Sequence, residues 1–312
     1  MSDGGSRLDT VLETESLVKR FGSRNAVDGL SLRVRGGEIY GFLGMNGAGK
    51  TTTIRMLLGL CKPNSGCVRI FGEPQTGTRR RALSRVGFLS DSPGFYENLT
   101  ALENLRLYAD LSGVIGRTAI EDALRAAGID AAADARVAGF SLGMKRRLGV
   151  ARALLNHPEL LILDEPINGL DPAGIRDLRI ILARLARENG VAVFMSSHIL
   201  GEVEQVADRV GVIHGGRLID EIPIAELRQR IRSCVEFSVS DENRAAVILE
   251  RDLGITDFEI PSAGIVRVYM RTVDAAAINR AFVVNGIDVS RVEREGAGLE
   301  EYFLRLTGGD HA

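Results

Sequence analysis

Two segments carry the residue types that phosphate chemistry needs. Gly44-Met45-Asn46-Gly47-Ala48-Gly49-Lys50-Thr51 fits the pattern G-x-x-x-x-G-K-[ST]. Its glycines let backbone N–H groups turn inward around phosphate oxygens. A helical run follows, so the positive end of a helix adds to the attraction for an anion. Lys50 is long enough to reach the β- and γ-phosphates of a triphosphate, and the Thr51 hydroxyl can ligate Mg²⁺. Further on, Leu160-Leu161-Ile162-Leu163-Asp164-Glu165 reads as a buried strand that delivers two carboxylates at its C-terminal end, where open α/β sheets bind ligands. Asp164 is suited to hold Mg²⁺ through water, and Glu165 to orient and deprotonate an attacking water. Alone, each segment also reads as a plain turn. Together and in this order they point to hydrolysis of a nucleoside triphosphate.

The elements that must position these residues are legible nearby. Glu38–Leu43 reads as the strand before the glycine-rich loop, and 51–60 as the helix after it. Val86–Leu89, Leu160–Leu163 and 191–196 are short apolar runs, as in the buried strands of a parallel sheet. From about 98 to 156 the pattern turns helical, opening on Thr100 with Glu103 three residues on, a capping box. Strands alternating with helices over about 14–230 predict an α/β domain, and residues 1–13 read as a loose tail. After about 230 the rhythm changes: strand 234–240, helix 242–253, strands 256–260 and 265–271, helix 273–284, strand 288–294 and helix 299–306. The first six are in the β-α-β-β-α-β order of a ferredoxin-like unit, so 231–312 is read as a small α+β accessory domain.

Composition narrows the class. Among 312 residues, hydrophobic side chains make up 45% and charged ones 26%, ordinary for a globular protein. The net charge of −2 gives no general attraction to nucleic acid. Cys61, Cys67 and Cys234 form no CxxC unit and no ligand cluster with histidine, which fits a reduced, cytoplasmic setting. The polar start, Met1–Asp9, lacks an apolar signal core, and the longest apolar runs are too short to span a bilayer. Any path through a membrane is therefore expected from another chain.

Phe140-Ser141-Leu142-Gly143-Met144-Lys145-Arg146-Arg147 lies between the two phosphate segments. Here the chain resembles the ABC ATPase family, whose signature reads LSGGQ before a basic helix. Ser141 and Gly143 match; Leu142 replaces the first glycine and Met144 the glutamine. The resemblance implies an α/β fold with a P-loop NTPase core of ABC type and a helical insertion. It implies ATP and Mg²⁺ as ligands, with nucleotide contacts at Gly44, Asn46, Gly47, Ala48, Gly49, Lys50, Thr51 and Thr52. Phe21 sits where an aromatic residue stacks on adenine. His198, in Ser196-Ser197-His198, resembles the histidine that contacts the γ-phosphate, and Asn168-Gly169-Leu170-Asp171 the loop that touches the partner subunit. Ser141 and Gly143 would cap the ATP of the opposite subunit in a homodimer. One departure stands out: Asp91 occupies the usual glutamine position, where it is expected to meet Mg²⁺ or water and to add negative charge beside the triphosphate.

Pro93-Gly94-Phe95-Tyr96, Ser141–Lys145 and Asn168–Ile175 are similar to ATPases of drug and peptide-antibiotic exporters, the bacitracin and lantibiotic self-protection type above all. Leu299–Gly308 resembles the C-terminal helix of that branch. The implied unit is an export motor on the inner face of the cell membrane, bound to a multi-span permease and linked to antibiotic resistance. A non-transport ABC ATPase, an import motor and a nucleotide-binding regulator that does not hydrolyse stay open as alternatives.

Overall fold

Two long strands, β1 (Thr10–Phe21) and β2 (Arg24–Arg35), open the first of two units as an antiparallel hairpin. Residues 10–13 are thus strand rather than tail: Leu12 is fully buried and pairs with Val34 and Ile70. The computed structural model describes residues 10–75, 81–113, 117–230, 233–269 and 274–296. Next come β3 (Ile39–Leu43), α1 (Lys50–Leu57), β4 (Ser65–Ile70) and β5 (Glu73–Pro74). The order β2-β1-β4-β5 makes an antiparallel sheet that the α/β reading did not foresee. Register shifts in β1 between Thr14 and Leu17, around a left-handed Ser16, break the period-two alternation that would have signalled it.

The chain continues through β6 (Val86–Leu89), α2 (Ala101–Ser112), α3 (Arg117–Ala126), α4 (Leu142–Leu154), β7 (Leu160–Leu163), α5 (Pro172–Asn189), β8 (Ala192–Ser197), α6 (Leu200–Glu204), β9 (Arg209–His214) and β10 (Arg217–Pro223). A second sheet has the order β10-β9-β3-β8-β7-β6, parallel from β9 to β6 and antiparallel only at β10. Every residue of β3, β7 and β8 is buried, as a parallel sheet covered on both faces requires. Phe194 lies 5.7 Å from Tyr40 and 5.2 Å from Phe42, ring centre to ring centre, and ties β8 to β3. Because these strands run in parallel, the loops after β3, β6, β7 and β8 emerge at one edge.

Local signals explain the helix ends. Thr100 Oγ1 accepts the Glu103 N–H at 3.1 Å, and Glu103 Oε2 accepts the Thr100 N–H at 2.8 Å, closing the capping box that opens α2. The helix expected to run to Leu60 stops at Leu57, because Gly59 turns left-handed at φ 65°.

The first compact unit is Met1–Ile224 and the second Ala225–Ala312. After α7 (Ile224–Arg230) come β11 (Ser233–Val239), α8 (Glu242–Arg251), β12 (Phe258–Ser262), β13 (Ile265–Tyr269), α9 (Ala275–Val284) and β14 (Val289–Gly296). The sheet order is β12-β13-β11-β14 and every neighbouring pair is antiparallel. Val235, Phe237, Val266 and Val268 pack under Ile278 and Phe282, with Phe237 edge-on to Phe282 at 5.4 Å. The helix expected over 299–306 lies outside the described residues.

Candidate functional site

The loop after β3 is shaped by its glycines. Gly47 (φ 81°) and Gly49 (φ 115°) are left-handed, and a Cβ on Gly49 would lie 2.5 Å from the Ala26 carbonyl oxygen. Only glycine fits there without displacing backbone. Lys50 starts α1, whose first turn holds no acidic side chain, so no charge of the helix's own first turn opposes its pull on an anion. The Lys50 side chain is 6% exposed; its ammonium donates to the carbonyls of Gly44 at 2.6 Å and Met45 at 3.3 Å and lies 3.2 Å from Glu165 Oε1.

The strand ends bring the carboxylates to it. The Asp164 N–H donates to the Leu89 carbonyl at 2.8 Å, tying β7 to the end of β6. The buried Ser196 hydroxyl on β8 donates to Asp164 Oδ1 at 2.7 Å and accepts the Glu165 N–H at 3.0 Å. One side chain thereby sets both acids. Glu165 sits at φ 48°, unusual for a non-glycine residue and the kind of strain that gathers at functional sites. Its Oε2 is 2.9 Å from His198 Nδ1.

A cavity of about 650 Å³ is lined by Phe21, Arg24, Ala26, Asn46, Gly47, Gly49, Lys50, Thr51, Thr52, Asp91, Asp164, Glu165, Asn168 and His198. Most of the residues expected from the sequence are therefore gathered around one space. Phe21 is 56% exposed at the tip of the β1–β2 hairpin, with the Lys19 ammonium 5.1 Å from its ring centre. Gly44 and Ala48 do not line the cavity: their N–H groups go to the Ser197 carbonyl and the Met45 carbonyl, and they shape the loop from behind. Ser141 and Gly143 are likewise not among its lining residues. Ser141 instead caps α4, its hydroxyl accepting the Met144 N–H at 3.2 Å.

Asp91 departs from expectation. It lines the cavity, but its Oδ1 accepts from the Arg146 guanidinium at 3.0 Å. Its charge is thus already opposed by a cation, not added free beside the phosphates. Sequence reasoning missed Arg146, which reads as one more charge in a basic helix start, and gave no role to Ser196, a small residue in a buried strand. It also missed Arg24, which donates to the Gly47 carbonyl at 3.1 Å. Glu202 on α6 was passed over too. Burial raises its pKa, opposed by nearby His198 and assisted by Glu165.

The donor set suits a magnesium nucleotide: a hydroxyl and a carboxylate for a hard cation, beside a lysine and left-handed glycines for phosphate. Burial is the main reason the Asp164 carboxyl is pushed above the usual carboxylate range; the Ser196 hydrogen bond pulls it down, Glu165 and Asp91 push it up, and Lys50 pulls it down.

Comparison with known proteins agrees. The family model described as ABC transporter matches residues 27–168. Bacitracin transport ATP-binding protein BcrA of Bacillus licheniformis is 49% identical over 302 residues, covering 97% of this chain and 99% of the relative. Nod factor export ATP-binding protein I of Paraburkholderia xenovorans is 36% identical over 308 residues, with 96% and 98% covered. A solved ATP binding subunit of an ABC transporter is 30% identical, with a TM-score of 0.62 over 71% of this chain and 93% of that one. The chain belongs to the ABC transporter ATP-binding proteins. It is an ATPase of the transport class, with ATP and Mg²⁺ as its ligands.

The raised Asp164 pKa has a sign that can be tested. A carboxyl with a higher pKa folded than unfolded costs stability once ionised; the cost sets in as pH rises from the unfolded value through the folded one. Asp164→Asn keeps an acceptor for Ser196 and removes the charge. Ligand-free protein carrying it should melt above wild type at neutral pH, and the gap should close in acid below the ordinary aspartate value. The extra stabilisation that Mg²⁺ adds to ATP should shrink in the same variant. A lower neutral-pH melting temperature in thermal unfolding would mean that the Asp164 charge is not a burden on the ligand-free fold.

Proposed function

We propose that the chain hydrolyses ATP through Glu165 and so drives a membrane permease that exports a bacitracin-like peptide antibiotic. The observation that carries the catalytic part is the convergence on Glu165: Lys50 at 3.2 Å, His198 at 2.9 Å and Ser196 at its N–H. Glycine-loop N–H groups and Lys50 hold the phosphates, with Asn46, Gly47, Gly49 and Thr52 around them. Thr51 and Asp164, which line the cavity, would hold Mg²⁺, and the ion would supply screening of the phosphate charge. Glu165 takes the proton of the attacking water. His198 holds the far oxygen of Glu165, facing the position of the γ-phosphate. Phe21 offers its exposed ring to adenine.

Ser141 and Gly143 act on the nucleotide of a second copy, which accords with their place outside their own chain's cavity. Leu142 between them is 47% exposed and available to that copy. ABC ATP-binding subunits dimerise and work with a membrane permease. None of the described helices is long and apolar enough to cross a membrane; the proposed path is a multi-span permease and the proposed location the inner face of the membrane, a reading that rests on the similarity to transport ATP-binding proteins. Two identical ATPase chains on that permease form the working unit; the mass of the detergent-extracted complex checks its composition. The cargo reading rests on the 49% identity to the bacitracin relative, above the 36% to the Nod factor one.

Within the second unit, about 231–312 is proposed to be a ferredoxin-like accessory domain, supported by the β-α-β-β-α-β order and all-antiparallel sheet of its described residues. It tunes dimerisation or coupling and takes no part in the chemistry. A chain ended at Arg230 should bind ATP as tightly as the full chain in a titration; loss of binding by a folded truncation would refute this.

Glu165→Gln tests the catalytic reading. It keeps the size and hydrogen bonding of the side chain and removes the base, so hydrolysis should fall about 10²–10⁴-fold while ATP binding persists. ATP held but not split favours the closed dimer, so the variant should run as a dimer with ATP and a monomer without it. Phosphate release and light scattering after size exclusion give both results. Near-normal hydrolysis would remove Glu165 from the chemistry; slow hydrolysis without a dimer would refute the homodimer.

A further inference from the structure

Arg146 lies on α4, five residues after Ser141, and its side chain is 4% exposed. One guanidinium nitrogen donates to the Ser90 carbonyl at 3.2 Å and the other terminal nitrogen to Asp91 Oδ1 at 3.0 Å. The remaining nitrogen, Nε, is buried and has no partner among the described residues. Asp91 supplies the countercharge to this buried cation, and a buried charge persists only where it is paired. Asp91 is itself 49% exposed and faces the nucleotide cavity.

α4 is packed against β6 along its length. A Cβ on Gly87 would lie 2.2 Å from the Ala153 carbonyl oxygen, and one on Gly149 would lie 2.4 Å from Leu89 Cδ1. Beyond Leu89, α4 is also held by Glu97, 2.8 Å from the Lys145 ammonium, and by the Gly94 carbonyl, which accepts from Arg152 at 3.3 Å. Among these ties the Asp91–Arg146 pair is the one whose acid lines the nucleotide cavity.

We propose that the Asp91–Arg146 ion pair is a positioning device that fixes the Ser141 end of α4 relative to the nucleotide cavity, with Asp91 acting through Arg146 and not as a ligand of the metal. This deepens the ATPase reading of the same site and rests on it. A free Asp91 would act oppositely: replacing it by glutamine would relieve repulsion of the triphosphate and keep or raise turnover. An ion pair that positions α4 predicts a loss on either single replacement and a recovery on the double one. Two glutamines bury no charge and can hydrogen-bond to each other.

The test uses the full chain. Asp91→Gln, Arg146→Gln and the double variant are compared for kcat, for KM and for the Mg²⁺ concentration giving half-maximal rate. ATP-driven dimerisation is read separately, with each change added to Glu165→Gln, so that the result does not depend on turnover. Each single variant should lose about tenfold in kcat, with KM and Mg²⁺ demand little changed, and should dimerise poorly with ATP. The double variant should recover most of both. If a single variant fails to fold, the double variant decides alone, since it leaves no unpaired charge: wild-type-like behaviour supports the device, and a folded but inactive double variant overturns it. Kept or raised turnover in Asp91→Gln, losses that multiply in the double variant, or a selective rise in Mg²⁺ demand would each overturn it as well. Failure of the wild type to hydrolyse ATP would instead overturn the functional reading, and the dimerisation arm would still judge the pair.

Discussion

The site depends on one buried hydroxyl. Ser196 donates to Asp164 and accepts from the backbone of Glu165, so the proposed metal acid and the proposed base are set by the same side chain on a neighbouring strand. That is possible only because β7 and β8 are adjacent and parallel, with Leu163 opposite Met195. The residues just past each strand then emerge side by side. The hydroxyl has one proton to give and lone pairs to accept with, and the two bonds use both functions. Fully buried, it has no water to substitute for either partner, and an orphaned polar group there is costly.

The same edge explains the electrostatics. Lys50, from the loop after β3, sits among three acids: Glu165 in direct contact, and Asp164 and Asp91 on the neighbouring strand ends. Asp91 is answered by Arg146 and Glu165 by Lys50. For Asp164 the Ser196 hydroxyl and the Lys50 charge favour the carboxylate, while burial and the charges of Glu165 and Asp91 work against it, and burial outweighs the rest. The imbalance favours a small cation beside Asp164 and an anion over the glycine loop. Those are the two halves of a magnesium nucleotide.

Much of this was legible in the sequence. The glycine loop, its strand, and the strand that ends in Asp164 and Glu165 are local patterns, fixed by φ requirements and by the apolar runs of buried parallel strands. The capping box at Thr100 and Glu103 is equally local. The alternating β1–β2 hairpin was hidden because bulges break its period. Arg146 and Ser196 were silent for a different reason. Each acquires its meaning from a partner 55 or 32 residues away, and nothing in the local pattern marks an arginine in a basic helix or a serine in a strand as buried and paired. Asp91 stands out in the sequence as a departure, but the sign of its effect depends on a countercharge that only the fold brings to it.

Ser196→Ala isolates the contribution of the shared hydroxyl. It changes no residue proposed to touch the nucleotide or the metal, yet it leaves Asp164 Oδ1 and the Glu165 N–H without their shared partner. Each orphaned group costs about 1–3 kcal/mol, so kcat in the phosphate-release assay should fall about tenfold or more, with the Mg²⁺ concentration for half-maximal rate rising in the same variant. Wild-type kcat and unchanged Mg²⁺ demand in a folded Ser196→Ala protein would show that the two carboxylates are placed without the hydroxyl, and would contradict the central role assigned to Ser196.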